Sequence, residues 1–371
     1  MKSFTQSNLR FLLSAFLLSA FFFTGCSPFY ILQAAVEQGR ILWRREPIET
    51  VIQRPELDPE TREKLKLVLA AREYARDTLK LRVGGSYASY SYVDRPVLSY
   101  VLMAAPKSDL TPYTWWYFFV GRVPYKGFFS EEAAKAEAES FHAQGYDTYI
   151  RTAPAYSTLG WFDDPLLAHL LKYDKVTLAE VIFHELLHNT LFVSGAVDFN
   201  ESLANFFGNQ AAILFFRERY GEGSAEHRRA VQAWEEEKEF STFIAQLADS
   251  LRDLYGKELA DEEKWRLREE VFSQSQRDWS TRIANRSTHQ YRGFVQQKVN
   301  NAVVAHYLLY LRDLQLFESL YEIHGKDLIR LMESIGNSVN DGGDPFDAMR
   351  TLLHQRKRKE PQITGGPAPG G

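Results

Sequence analysis

One segment of the chain has the residue types and spacing for metal-dependent hydrolysis. His184, Glu185 and His188 form the pattern H-E-x-x-H, and Glu201 follows thirteen residues after the second histidine. On a helix, residues four apart lie one above the other on the same face, so both imidazoles can bind a single Zn²⁺ ion while Glu185 faces a water molecule at the metal. The pattern is typical of a zinc metallohydrolase. A pair of core histidines with an incidental glutamate is the alternative interpretation.

The flanking residues predict one helix for this pattern and a second helix that begins at Glu201. The stretch TLAEVIFHELLHNTLFV is apolar at helical spacing, Thr177 and Glu180 have the spacing of a capping box, and Gly195 is a predicted helix end. Two helices joined by a short loop pack antiparallel, which would bring Glu201 beside the histidines as a third ligand. Asn205 would share that face and could hydrogen-bond a ligand. The alternative role of Glu201 is favourable interaction with the helix dipole.

The N-terminus predicts a lipoprotein signal peptide over residues 1–25. Lys2 and Arg10 precede or flank the apolar stretch FLLSAFLLSAFFF, and small residues come directly before Cys26. The stretch is short for a membrane span, which favours cleavage before Cys26. Cys26 is the only cysteine, so an intramolecular disulfide is excluded and lipid attachment is its predicted role, with an unmodified thiol in an uncleaved anchor as the alternative. Ser27 fits a periplasm-facing protein sorted to the outer membrane if the cell is Gram-negative.

The composition is that of an ordinary globular protein. The chain has 45% hydrophobic and 25% charged residues and a net charge of −4, which argues against nucleic acid as a partner. Residues 26–355 are long enough for a sizeable core. The tail 356–371 is basic and then rich in Pro and Gly, which predicts disorder. Its cluster RKRK could contact the lipid bilayer or remain solvated.

Hydrophobic periodicity predicts an α+β fold, in which a small β-sheet region precedes a mainly helical part. Alternation typical of strands occurs over 83–122 and in the stretch YDTYIRTAP. From residue 174 onward the pattern is almost entirely helical, and the charge-rich segment 221–275 predicts long solvated helices that could form a hairpin over the site. Further helices are predicted over 29–44, over 59–80 from Asp58 and Pro59, and over 130–144.

The motifs HELLH (184–188) and FNESLA (199–204) resemble those of the gluzincin metallopeptidases, whose third ligand is a glutamate on the next helix. The gap before that glutamate is shorter here than is usual for gluzincins. The chain resembles more closely the family of zinc aminopeptidases found as bacterial lipoproteins. This resemblance implies a gluzincin-like peptidase domain over 26–355, one Zn²⁺ ion and a peptide substrate. The matching stretches are YILQAA (30–35), REPI (45–48), GRVPYKG (121–127) with Phe129, Ser130 and Glu131, AYSTLGWFDDP (155–165), NNA (300–302) and Tyr310.

Peptide hydrolysis at such a site requires a general base and a donor that stabilises the oxyanion. Glu185 would take the proton of the attacking water and pass it to the leaving amine. The oxyanion of the intermediate needs a hydrogen-bond donor besides the metal. Tyr310 is the first candidate because it lies in a segment that resembles the family, and Tyr291 and His289 are others. A core tyrosine or a surface histidine is the alternative for each of the three.

The segment before the metal-binding helix is the predicted substrate-binding part. In gluzincin-like sites an extended segment at this place binds the substrate main chain as an added strand, and Tyr156, Gly160 and Trp161 belong to the resembling piece. Asp163 and Asp164 could bind a substrate α-ammonium, which would make the enzyme an aminopeptidase. The alternative is a turn, because Asp-Asp-Pro commonly ends a strand.

Three functional hypotheses follow. The first is a lipid-anchored zinc aminopeptidase with Glu185 as the general base. The second is a zinc endopeptidase with the same metal site. The third is a non-catalytic, zinc-containing lipoprotein of the cell envelope that binds peptide, since a fold does not guarantee chemistry.

Overall fold

The computed structural model describes residues 36, 39–93, 97–117, 121–153, 163–286, 289–339 and 343–359. Within them the protein has an α+β fold that is mainly helical, as predicted, and most strands precede the long helices. The predicted signal peptide, Cys26, Tyr156, Gly160 and Trp161 lie outside the described residues.

The described strands form three small sheets. The pairing orders are β1-β2-β8, β6-β3-β7 and β4-β5, so the strand-rich part of the chain does not build one continuous sheet. The longest pair is β3 with β7, which is antiparallel from Ser99 opposite Ala153 to Pro106 opposite Tyr146. The strands are β1 (Arg45–Pro47), β2 (Ser89–Ser91), β3 (Ser99–Pro106), β4 (Trp115–Tyr117), β5 (Gly121–Val123), β6 (Lys126–Phe128), β7 (Tyr146–Ala153) and β8 (Leu166–Leu167).

The helices confirm most of the predicted ones. Asp58 caps the second of them and Ser130 the third, each by accepting a hydrogen bond from a main-chain N–H of the first turn. The last helix extends into the predicted tail and ends at Lys359. The helices are α1 (Ile48–Val51), α2 (Pro59–Asp77), α3 (Glu131–Ala143), α4 (Lys175–His188), α5 (Val197–Tyr220), α6 (Ala225–Tyr255), α7 (Asp261–Ile283), α8 (Asn301–Leu311), α9 (Leu314–Ile323), α10 (Leu328–Ser338) and α11 (Pro345–Lys359).

Three predicted helix boundaries were wrong. Helix α4 ends at His188 and not at Gly195, because the chain leaves the helix after Asn189. The N-cap of α4 is Asp174, whose carboxylate accepts hydrogen bonds from the N–H groups of Val176 and Thr177 at 2.9 and 3.1 Å. Thr177 is therefore inside the helix, and its hydroxyl donates to the same aspartate. Helix α5 begins at Val197 and not at Glu201. As a result Glu201 lies one turn inside a formed helix, where its position is held by the helix itself.

Helices α4 and α5 pack against each other at the centre of the main hydrophobic core. This core extends from Ile48 to Met349 and includes the fully buried Phe183 of α4 and Phe206 of α5. Burying an aromatic side chain of this size contributes about 1.5–3 kcal/mol. Gly208 of α5 faces the main chain of α4 so closely that a Cβ atom there would lie 2.8 Å from the carbonyl oxygen of Glu180. The helix pair is thus held at short range beside the predicted metal ligands.

The segment predicted as a solvated hairpin is a hairpin of α6 and α7, but one face of α6 belongs to the core. Trp234, Phe240 and Ile244 are buried there, and α6 packs on α5. The acidic stretch EEEKEF therefore has buried as well as exposed members, which its charge alone did not indicate. None of the described helices is long and apolar enough to cross a membrane.

Candidate metal centre

The three predicted ligands meet at one point. Nε2 of His184 lies 3.3 Å from Oε2 of Glu201 and 3.3 Å from Nε2 of His188. Nε2 of His188 lies 3.8 Å from the same carboxylate oxygen. The last turns of α4 thus present two ring nitrogens to a carboxylate near the start of α5, as the spacing predicted.

This geometry fits a metal ion. Donor atoms bound at about 2.0–2.1 Å to a tetrahedral ion lie about 3.3–3.4 Å apart, which matches the two shorter separations among the three donors. Two imidazoles and one carboxylate are also a donor set typical of catalytic zinc sites, which keep a position open for water. Among the described residues this is a group of three whose ligand atoms all lie within 4.8 Å of one another.

The loop between the two helices is fixed by the residue before Glu201. The side-chain amide of Asn200 donates to the carbonyl of Val193 at 2.7 Å, and its carbonyl oxygen accepts from the N–H of Val193 at 2.8 Å. Ser202 accepts from the N–H of Arg312 at 3.0 Å. Because both neighbours of Glu201 are held in this way, the carboxylate is positioned before any metal binds.

The ionisable side chains at the candidate metal site shift one another's pKa values. Burial lowers the pKa of His184, but the hydrogen bond with Glu201 and the charge of Glu185 outweigh burial and raise it to about 9. Burial raises the pKa of Glu201, but hydrogen bonds with both histidines hold it well below its usual range. Burial raises the pKa of Glu180, one turn before His184, to about 8. The carboxylates around His184 therefore favour a positive charge at this position.

Glu185 has the environment of a group that acts on a bound molecule. It is partly buried beside the two histidines, and its Oε2 atom is buried without a hydrogen-bond partner among the described residues. Buried carboxylate oxygens normally have a partner, so an unpaired one at a cavity wall calls for an explanation. A water molecule or substrate in the cavity would supply it.

The metal centre opens into a cavity of about 600 Å³. This volume is in the range of about 300–1,000 Å³ that is usual for sites that bind small molecules. Its walls come from the helices α4, α5, α6 and α8, from the strands β3 to β7 and from the loops next to them. Apart from the histidines, the charged side chains that line it are Glu180, Glu185, Glu201, Glu237 and Arg151.

Tyr310 lies in this cavity, as its predicted role requires. Its hydroxyl accepts a hydrogen bond from Nη2 of Arg151 at 3.0 Å. Burial raises the pKa of Tyr310, so the hydroxyl keeps its proton and can donate it to a hydrogen bond. Tyr291 also lines the cavity, but its hydroxyl donates to Glu237. His289 is not among the described lining residues and accepts from the N–H of Tyr291 at 3.2 Å.

Glu237 of α6 is a buried carboxylate in the cavity wall. It accepts hydrogen bonds from Asn205, Gln290 and Tyr291, all of which are neutral donors. Burial raises its pKa, although these hydrogen bonds oppose the effect. The amide of Asn205 also donates to the carbonyl of Tyr310 at 3.1 Å. The predicted hydrogen bond from Asn205 to a metal ligand is therefore replaced by contacts with Glu237 and α8.

Asp163 and Asp164, the two predicted substrate-binding aspartates, contact the turn at residues 84–87. Asp163 accepts from the N–H of Gly85 at 2.7 Å, and the carbonyl of Asp164 accepts from the N–H of Tyr87 at 2.8 Å. Neither is among the described residues that line the cavity. Both aspartates therefore bind the turn at residues 84–87, and residues 163–165 do not themselves form the turn that was the alternative interpretation. These contacts give no support to α-ammonium binding.

Three charged residues of the cavity were not predicted from the sequence. Glu180 could have been found, because it lies four residues before His184 and so on the same helical face. Glu237 could not be recognised as a site residue, because the sequence does not distinguish it from the other charged residues of the stretch EEEKE. Arg151 lies in the short strand β7, and nothing in its local sequence connects it to a site formed by helices.

A family model described as "Putative aminopeptidase" matches residues 29–340 of the chain. Neither the curated proteins nor the solved structures provide a match. The matched region contains all of the described residues that line the cavity.

Proposed function

The chain belongs to the family described as "Putative aminopeptidase", and from this we propose that it is a zinc-dependent aminopeptidase. The observation that carries the proposal is the convergence of His184, His188 and Glu201, with two of the three donor separations matching a tetrahedral metal site. The neighbouring Glu185, with its unpaired buried oxygen, supports hydrolysis over metal storage or structural metal binding.

His184 and His188 would hold the ion through Nε2, and Glu201 through its carboxylate. When bound, Zn²⁺ polarises the scissile carbonyl and lowers the pKa of a coordinated water. Glu185 accepts the proton of the attacking water at its unpaired oxygen and delivers it to the leaving amine. The hydroxyl of Tyr310 donates a hydrogen bond to the oxygen that becomes negative in the transition state.

Glu237 gives the best support for attack at an N-terminus. It is a buried carboxylate that lines the cavity and forms no ion pair among the described residues. A buried charge without a cationic partner is costly. A substrate α-ammonium at this place would supply the missing cation and would leave the first peptide bond near the metal. We therefore assign α-ammonium binding to Glu237 in place of Asp163 and Asp164.

We also propose that the protein is attached to the cell envelope by a lipid on Cys26 and faces the periplasm. The basic start, the apolar stretch and the small residues before the cysteine support this location. Globomycin, which inhibits lipoprotein signal peptidase, should cause the longer precursor to accumulate in cells. If the protein has the same length in treated and untreated cells, cleavage before Cys26 is contradicted.

The test of the proposed activity uses two peptides that differ only at the N-terminus. Protein freed of metal with a chelator and then supplied with one equivalent of Zn²⁺ is incubated with a peptide and with its N-acetylated form. We expect stepwise release of N-terminal residues from the free peptide, only after zinc is added. Cleavage of the acetylated peptide at internal bonds would identify an endopeptidase. No cleavage at full zinc occupancy would contradict the proposal.

A further inference from the structure

Arg151 is the only lysine or arginine among the described residues that line the cavity. It lies near the end of β7 and is partly buried. Its guanidinium forms no ion pair among the described residues, and it donates a hydrogen bond to the hydroxyl of Tyr310. A guanidinium has five N–H donors in a planar fork. Most of them are therefore left to bind a group that enters the cavity.

Arg151 forms the positive wall of the cavity and Glu237 the negative wall, and the two lie near opposite ends of Tyr310. The main-chain carbonyl of Tyr310 accepts from Asn205, which also binds Glu237. The hydroxyl at the other end of the side chain accepts from Arg151. The charge of Arg151 acts on Glu201, whereas that of Glu237 acts on His184. Arg151 and Glu237 thus give the cavity a cationic and an anionic wall, and each wall interacts electrostatically with one of the metal ligands.

We propose that Arg151 binds the terminal carboxylate of the substrate, so that the enzyme acts preferentially on di- and tripeptides with a free C-terminus. This inference rests on the proposed function and adds the substrate class to it. Guanidinium and carboxylate form paired N–H···O hydrogen bonds, which makes arginine well suited to recognise this group. A short peptide is a zwitterion whose two ends match the two walls.

The size of the cavity agrees with a short substrate. Its volume of about 600 Å³ is that of a pocket for a small molecule. Apolar side chains complete its walls, among them Val101, Val197 and Phe192. Phe192 has an exposed fraction of 41% and lies edge-on to His188. The cavity therefore combines two charged ends with apolar surface for the side chains between them.

The hydrogen bond to Tyr310 suggests an alternative role for Arg151, in which it only orients the tyrosine hydroxyl. The two roles differ in what they do to substrates without a carboxylate. An orienting residue affects all substrates alike, because each forms the same oxyanion. A carboxylate-binding residue affects only those with a free C-terminus. The experiment therefore compares a tripeptide with the same tripeptide amide.

The zinc-loaded protein is assayed with both tripeptides, together with the variants Arg151→Met, Arg151→Lys and Tyr310→Phe. We expect the unmodified protein to favour the free acid, mainly through KM, by about 10- to 100-fold, the usual effect of a charge-assisted hydrogen bond. Arg151→Met should remove this preference, so that kcat/KM falls about 10- to 100-fold more for the acid than for the amide. Arg151→Lys should keep part of it. Tyr310→Phe should lower kcat for both substrates and keep the preference.

Two results would overturn the assignment. One is equal use of acid and amide by the unmodified protein. The other is an equal loss on both substrates in Arg151→Met, matching Tyr310→Phe, which would make Arg151 a residue that positions the tyrosine. Zinc content and far-UV circular dichroism are measured for every variant, and Arg151→Lys provides the comparison if Arg151→Met fails to fold.

A binding measurement separates this inference from the proposed activity. Calorimetry of both tripeptides with zinc-loaded Glu185→Gln requires no turnover. Tighter binding of the acid that is lost in the double variant Glu185→Gln/Arg151→Met supports carboxylate recognition, even if the unmodified protein hydrolyses neither peptide. Equal affinity for acid and amide contradicts it, even if hydrolysis is observed.

Discussion

Replacing Gly208 with alanine should disturb the metal centre through the packing of two helices. A Cβ atom at this position would lie 2.8 Å from the carbonyl oxygen of Glu180, and 3.3 Å from Cβ of His184. The first neighbour is main chain and cannot rotate away, so α4 and α5 must separate until the contact reaches about 3.4 Å or more. This separation occurs beside His184, while Glu201 lies on the helix that is pushed away.

The size of the effect follows from two opposing contributions. Overpacking of a core costs about 1–3 kcal/mol, whereas the change from glycine to alanine inside a helix contributes about 1 kcal/mol of stability. Because the clash is with main chain, we expect a net loss of about 1–2 kcal/mol in the free energy of unfolding. Gly336 provides the matched control, since its added Cβ would meet only Leu191 Cδ1, at 3.7 Å. Gly336→Ala should stabilise the protein by up to about 1 kcal/mol.

Urea unfolding of the metal-free variants measures the stability, and competition with a chromophoric chelator measures the zinc affinity. Gly208→Ala should bind zinc about tenfold or more weakly, in the range seen when the supports of metal ligands are altered. Gly336→Ala should bind it as the unmodified protein does. If the two variants have the same stability and the same zinc affinity, the close approach of α4 and α5 does not position the ligands.

Three further predictions concern charged groups. Introduced into the zinc-loaded Glu185→Gln protein, Glu237→Gln should weaken the calorimetric affinity for peptides with a free N-terminus by about 10- to 100-fold and leave that for N-acetylated peptides unchanged. An equal change in both affinities would contradict its role. Arg268→Met leaves Asp147 buried without the cation that it binds at 2.7 Å and should cost about 3–5 kcal/mol in urea unfolding. Arg266→Met, in an exposed pair, should leave the urea midpoint nearly unchanged, and equal losses in the two variants would contradict the role of burial. His184 must lose its proton to bind metal, and its pKa in the metal-free protein is raised to about 9. The zinc affinity measured by chelator competition should therefore rise about tenfold per pH unit from pH 7 towards 9. A zinc affinity that does not change with pH would contradict a protonated His184.

The parts of the site that depend on local periodicity were predictable. His184, Glu185 and His188 share a helical face because of their spacing alone, and a short connection was enough to expect Glu201 beside them. The α+β order was predictable for the same reason, since alternating and helical patterns occupy different parts of the chain. Tyr310 was placed in the cavity by resemblance to a family and not by its own sequence context.

The remaining parts depend on contacts between distant segments. Arg151 reaches the site because β7 pairs with β3 and faces α8. Glu237 reaches it because one face of α6 is buried against α5. In both cases tertiary packing selects one charged residue from several, which composition and spacing cannot do. Asn205 was expected to point at a ligand, but the buried carboxylate of Glu237 is the acceptor that its amide meets.

The most direct test of the proposed function compares Glu185→Gln with the unmodified protein at equal zinc content. The substitution keeps the size of the side chain and leaves all three ligands in place, so zinc stoichiometry should stay at one ion per chain. Release of the N-terminal residue from an unblocked peptide should fall by about 100-fold or more, the effect of losing a general base. Activity close to that of the unmodified protein, with zinc still bound, would contradict the role of Glu185 and the metal-dependent mechanism built on it.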